Sequence, residues 1–177
     1  MKKIVLSSLL AIAAAAPIAS QAADGTITFN GSVIAQTCTI NGGTPNLTVA
    51  LPRVAASNFT AVGSTVGASN SSIKISLTAC PAALTAARAF FENGATVNST
   101  TRRLINSGTA TNLEVGLTTP QGVDIAVGAA AGAQNTASVP IVSGAADLVY
   151  GTKYVSTATT VGAGTVVTNV AYTIDYQ

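Results

Sequence analysis

Residues 164–177 read Gly-Thr-Val-Val-Thr-Asn-Val-Ala-Tyr-Thr-Ile-Asp-Tyr-Gln. Val166, Thr168, Val170, Tyr172, Ile174 and Tyr176 fall two apart, so an extended backbone turns all six to one side. Valine, threonine, isoleucine and tyrosine on that side suit a pleated, half-buried surface. The spacing predicts a strand with one face on a core, and no lysine or proline blunts its edge.

The same period recurs through the chain, at 26–34, 72–77, 112–118, 123–127, 137–142 and 148–157. Between these runs stand turn-forming residues: Asn41, Gly42, Gly43 and Pro45; Gly63, Gly67 and Asn70; Asn93 and Gly94; Pro120, Gln121 and Gly122. Each group reads as a break in the strand pattern. Alternating runs at this spacing predict an all-β, antiparallel sandwich of the immunoglobulin-like type. Residues 126–133 are alanine-rich but carry Gly128 and Gly132, which favours a loop, while 80–88 admit a short helix.

Lys2 and Lys3 precede an apolar run over 4–16 and a small-residue stretch, the layout of a secretory signal peptide. The run is shorter than the roughly 20 residues a bilayer-crossing helix needs. With the cut placed before Ala23, removing residues 1–22 from 177 leaves 155, the size of one domain. Eight basic residues face six acidic ones, and losing Lys2 and Lys3 makes the balance six to six. No basic footprint for nucleic acid remains; the adjacent Arg102 and Arg103 read as a solvated turn.

Cys38 and Cys80 are the only two cysteines, and in the oxidising compartment of an exported chain they are expected to pair. Closing a loop of about 43 residues would contribute about 4 kcal/mol on a chain-entropy model. With no histidine and no Cys-x-x-Cys, neither a metal nor a cofactor is expected. Enzymatic chemistry is not expected either. The commonest proton carrier is missing, the carboxylates Asp24, Glu92, Glu114, Asp124, Asp147 and Asp175 are scattered, and no phosphate-binding or nucleophile-elbow motif occurs.

At the other end, residues 25–33 read Gly-Thr-Ile-Thr-Phe-Asn-Gly-Ser-Val. Ile27, Phe29, Gly31 and Val33 share one face of an extended segment, so this too has a half-buried strand pattern. The residues alone leave two arrangements open. The two end strands either pair within one molecule or each meets another chain.

In these features the chain resembles the pilins of the chaperone-usher pathway, the type 1 fimbrial subunit family of Gram-negative bacteria. The resemblance covers everything after the signal peptide. It rests on the 25–33 segment, on Cys38 and Cys80, on Gly164 as the fourteenth residue from the end and on Tyr176 as the penultimate aromatic. It implies an incomplete immunoglobulin-like sandwich, residues 35–177, completed by a donor strand from a neighbouring subunit. The donor would be the extension 23–34, with Ile27, Phe29, Gly31 and Val33 facing the groove. The acceptor edge would run through Gly164, Val166, Thr168, Val170, Tyr172, Ile174, Tyr176 and Gln177. Other pilin subunits in a homopolymer, a periplasmic chaperone that first fills the groove and an outer-membrane usher are the implied partners, and a cell-surface fimbrium reached through the periplasm is the implied location.

The expected function is that of a structural shaft subunit supporting adhesion. The alternative is a carbohydrate-binding or adhesive module of the same fold that forms no shaft. Tyr150 and Tyr154 share a strand face and would be its stacking platform, although such pairs more often pack in a core. A sortase-type Leu-Pro-x-Thr-Gly signal is absent, and the short strands ending in Gln177 do not suit an outer-membrane barrel.

Overall fold

The computed structural model describes residues 25, 27–29 and 37–177. The chain divides into the units Met1–Val33 and Ile34–Gln177. In the first, the described Ile27 and Phe29 are exposed, while Gly31 and Val33 lie outside the described residues.

The second unit contains strands β1 (Thr39–Ile40), β2 (Thr65–Thr78), β3 (Ala86–Phe91), β4 (Leu104–Ile105), β5 (Leu113–Thr118), β6 (Val139–Pro140), β7 (Ala146–Ser156) and β8 (Tyr172–Tyr176). A five-stranded sheet has the order β1-β2-β7-β5-β4, and a three-stranded sheet has the order β6-β3-β8. Every pairing is antiparallel. The long pair β2–β7 sets the core, because its register brings Ile73 opposite Tyr150, Ile75 opposite Leu148 and Leu77 opposite Ala146, all six buried.

The two sheets meet through β3, whose sequence Ala-Ala-Arg-Ala-Phe-Phe buries Ala87, Ala89 and Phe91. The ring of Phe91 meets that of Tyr150 edge-on at 5.2 Å. The Ala89 N–H donates to the Tyr150 hydroxyl at 2.9 Å, so one tyrosine of β7 ties into the backbone of the facing sheet. Cys38, just before β1, and Cys80, just after β2, form a disulfide that fixes the start of the domain to the first long strand.

Several sequence expectations shift for identifiable reasons. Gly67 and Asn70 lie inside β2, where the pairing with β7 changes register between Val66 and Ser69 and again between Ser69 and Ile73. Gly67, at φ +65°, marks a bulge rather than the end of the strand. The short helix considered over 80–88 gives way to β3 from Ala86, since burial on a sheet overrides alanine's preference for helix. Among the described residues, 123–127 make only the single bridge Thr118↔Asp124, and 137–142 contract to the two residues of β6.

Candidate functional site

The three-stranded sheet treats its two sides differently. On the side of β3 away from β8, β6 pairs with Ala86 and Ala87, and side chains take over where β6 stops. Tyr150 receives the Ala89 N–H. The buried Gln134 carboxamide accepts the Phe91 N–H at 2.9 Å and donates to the Phe91 carbonyl at 2.7 Å, standing in for a strand. That edge is closed.

The outer edge of β8 is not. In a strand, the N–H and C=O of one residue point to the same side and those of the next residue to the other. Among the odd-numbered residues leading into β8, Val167 donates its N–H to Asn106 Oδ1 at 2.8 Å, and its carbonyl accepts from the Ser107 N–H at 2.8 Å. The Thr165 N–H donates to Thr109 Oγ1 at 2.9 Å, and the Thr165 carbonyl accepts from the Ala110 N–H at 3.0 Å. The Asn169 carbonyl accepts from Thr96 Oγ1 and the Ala171 carbonyl from the Glu92 N–H. Val166, Thr168 and Val170 make no backbone hydrogen bond among the described residues. β8 continues the same row, because among the described residues it ends its sheet and pairs on one side only.

The side chains follow the same alternation. Val166, Thr168, Val170, Tyr172 and Tyr176 are half-buried and Ile174 is buried, whereas Val167, Asn169, Ala171 and Thr173 are exposed. The even-numbered residues line a groove of about 1480 Å³. Its floor is apolar, built from Ile73 and Ile75 of β2, Phe91 of β3 and Leu113, Val115 and Leu117 of β5. The opposite wall is formed by Ile40 and by Leu47, Val49, Leu51 and Val54. Burial in this environment pushes the Tyr172 and Tyr176 phenols above their ordinary value. A row of unpaired backbone groups beside an open apolar floor is a template for an added strand.

Gly164 sits where this wall begins. A Cβ there would lie 2.4 Å from the Ala110 N and 2.5 Å from the Thr109 carbonyl carbon, so the wall can lie against the 106–111 loop only with a bare Cα. Gly108 is under the same constraint from the other side, its Cβ falling 2.2 Å from the Thr165 carbonyl oxygen. Gln177 ends the run with its backbone paired to Ala86 and its carbonyl oxygen accepting from the Thr85 N–H at 2.7 Å.

The structure thus brings Val166, Thr168, Val170, Tyr172, Ile174 and Tyr176 together along one groove, with Gly164 at its head. Sequence reasoning missed the opposite wall, although Leu47, Val49 and Leu51 alternate. It also missed Asn106, for which no sequence signal exists. Tyr150 and Tyr154 are buried, and the Tyr154 hydroxyl donates to the Pro52 carbonyl at 3.0 Å, so neither offers a sugar a stacking face. Arg102 and Arg103 are half-buried rather than solvated. Arg102 donates to the Gly128 carbonyl, and Arg103 lies 3.9 Å from both the Glu114 and the Asp124 carboxylates.

The profile of the family described as fimbrial protein matches residues 27–177. The chain belongs to that family. This fimbrial protein is 38% identical to the F17 fimbrial protein of Escherichia coli, with 94% of each chain covered. It is 40% identical to the major fimbrial subunit SMF-1 of Stenotrophomonas maltophilia, over 93% of this chain and 99% of that one. In fold it is similar to a solved chain from a chaperone-usher pilus, with a TM-score of 0.58 at 20% identity, covering 92% of this fimbrial protein and all of that chain. An all-β sandwich with an edge left uncovered among the described residues, an incomplete immunoglobulin-like fold, is therefore the architecture of a fimbrial protein.

Proposed function

We propose that the chain is a structural, non-enzymatic subunit of a surface fimbria and that it polymerises by accepting a strand from a neighbouring copy. The observation that carries the reading is the even-numbered backbone edge from Val166 to Tyr176, unpaired among the described residues, beside the apolar groove. An incoming strand would satisfy that edge and cover the floor.

The donor is residues 23–34, following a signal peptide over 1–22, and the acceptor domain is 35–177. Ile27, Phe29 and Val33 alternate as the groove requires, and Ile27 and Phe29 are large apolar side chains exposed to solvent. Burying each would contribute about 1.5–3 kcal/mol. Gly31 brings the donor backbone close where a side chain would not fit. Before assembly, a strand of a periplasmic chaperone occupies the same edge, and an outer-membrane usher exchanges it for the next subunit's extension. The homology to the major subunit SMF-1 supports a place in the shaft of the fibre.

The test compares the full chain with a version whose exported form starts after Val33, each co-expressed with its cognate chaperone and usher. Detergent-resistant multimers from the full chain alone are expected. Equal ladders from both would mean that residues 25–33 are not the donor.

A further inference from the structure

Among the described residues, the half of the groove wall that precedes β8 has no strand behind it. Its support is a loop, residues 106–111, and one side chain in that loop does the work of a backbone unit. The Asn106 Oδ1 accepts the Val167 N–H at 2.8 Å and the Gly108 N–H at 2.9 Å. Its Nδ2 donates to the Ala110 carbonyl at 2.8 Å and lies 3.4 Å from the Thr165 carbonyl. One planar carboxamide, presenting an acceptor as a peptide group does but two N–H donors where a peptide group has one, thus folds the loop and ties it to the wall. Thr109 and Thr165 add a reciprocal pair, each hydroxyl accepting the other residue's N–H at 2.9–3.0 Å.

The consequence lies on the other edge. Once Val167 is held by Asn106, its neighbours Val166 and Thr168 have their N–H and C=O groups directed into the groove by the alternation of the strand. We infer that Asn106 is the positioning residue for strand capture: its carboxamide holds residues 165–167 extended before a donor arrives, so the open edge is presented ready to pair. This rests on the strand-accepting reading of the groove. Preorganisation of this kind lowers the ordering cost at the moment of binding. After capture, the donor's own ladder holds the wall, so the contribution of Asn106 falls on the approach to the complex more than on its persistence.

The experiment uses the full chain and a fluorescent synthetic peptide spanning residues 25–33. Association and dissociation rates are measured for wild type, Asn106→Ala, Asn106→Asp and Ser76→Ala. The last removes the side-chain bond from Ser76 of β2 to Asp147 of β7, neither of which lines the groove. Asn106→Ala is expected to slow association about tenfold, equivalent to about 1.4 kcal/mol, with dissociation changed less than about twofold. Asn106→Asp keeps the acceptor for Val167 and loses both donors, so it should fall between Ala and wild type, and it decides the matter should the alanine variant fail to fold. Ser76→Ala should match wild type. Wild-type association by both Asn106 variants overturns the inference while leaving the groove reading intact. A slowing by Ser76→Ala equal to that by Asn106→Ala reduces the effect to general stability and overturns it too. Failure of wild type itself to take up the peptide removes the groove reading on which the inference stands.

Discussion

The phenol of Tyr172, at the start of β8, donates a hydrogen bond of 2.6 Å to the carbonyl of Pro45, which lines the opposite side of the groove. The two walls come from opposite ends of the domain sequence, and this contact links them across the open core. Tyr172→Phe keeps the ring and removes the bond. We expect it to lower the stability of the subunit by about 1 kcal/mol, measured by urea denaturation, with an unchanged m-value. An unchanged midpoint would show that the link is not formed in solution.

Gly164 and Gly108 let the wall and its supporting loop lie in contact. Gly164→Ala places a methyl 2.4 Å from backbone that cannot move aside alone, so the wall must shift. A loss of about 2 kcal/mol or more is expected, together with fewer detergent-resistant multimers at equal export. Gly94→Ala, where a Cβ meets nothing within 4 Å, is the control and should leave multimer formation unchanged.

The Cys38–Cys80 disulfide closes a sequence separation of 42 residues. Replacing both cysteines with alanine is expected to lower stability by about 4 kcal/mol through the unfolded chain. Thermal unfolding of the reduced wild type should reproduce the loss; a reduced protein as stable as the oxidised one would contradict it.

Burial raises the pKa of all four tyrosines, Tyr150, Tyr154, Tyr172 and Tyr176. A raised folded-state value means that the unfolded chain loses these protons first. The stabilisation is complete below about pH 10, the unfolded value, and is lost as pH rises through the folded values. Asp147 has the opposite sign. Its hydrogen bond from Lys74, seconded by that from Ser76, holds its carboxyl below the ordinary value, so its small contribution is present at neutral pH and lost in acid. With no histidine in the chain, stability should be nearly flat between about pH 6 and pH 9 and fall above about pH 10, read by thermal unfolding across that range. A transition near neutrality would contradict this.

Periodicity alone located β5, β7 and β8, because their valines, leucines and tyrosines alternate against a core on one or both faces. It failed at β3. Ala86, Ala87 and Ala89 carry no β signal, yet small side chains are what this strand needs beneath Tyr150, whose hydroxyl reaches the backbone at Ala89. It over-read 123–127, where Ile125 and Val127 are buried but only one bridge forms. The groove wall was legible because Val166, Thr168, Val170, Tyr172, Ile174 and Tyr176 repeat at an interval of two. What holds the first part of it was not: Asn106 acts across about 60 residues of sequence, through a loop whose fold no local pattern encodes.

The most direct measurement is amide hydrogen exchange along the wall, resolved by residue, in the free subunit and in assembled fibres dissolved after labelling. In the free subunit, Thr165 and Val167 should be protected, while Val166, Thr168 and Val170 exchange quickly. In fibres, the account predicts that Val166, Thr168 and Val170 become protected as well, because a neighbour's strand has paired with that edge. Fibres in which these three amides still exchange as fast as in the free subunit would contradict it.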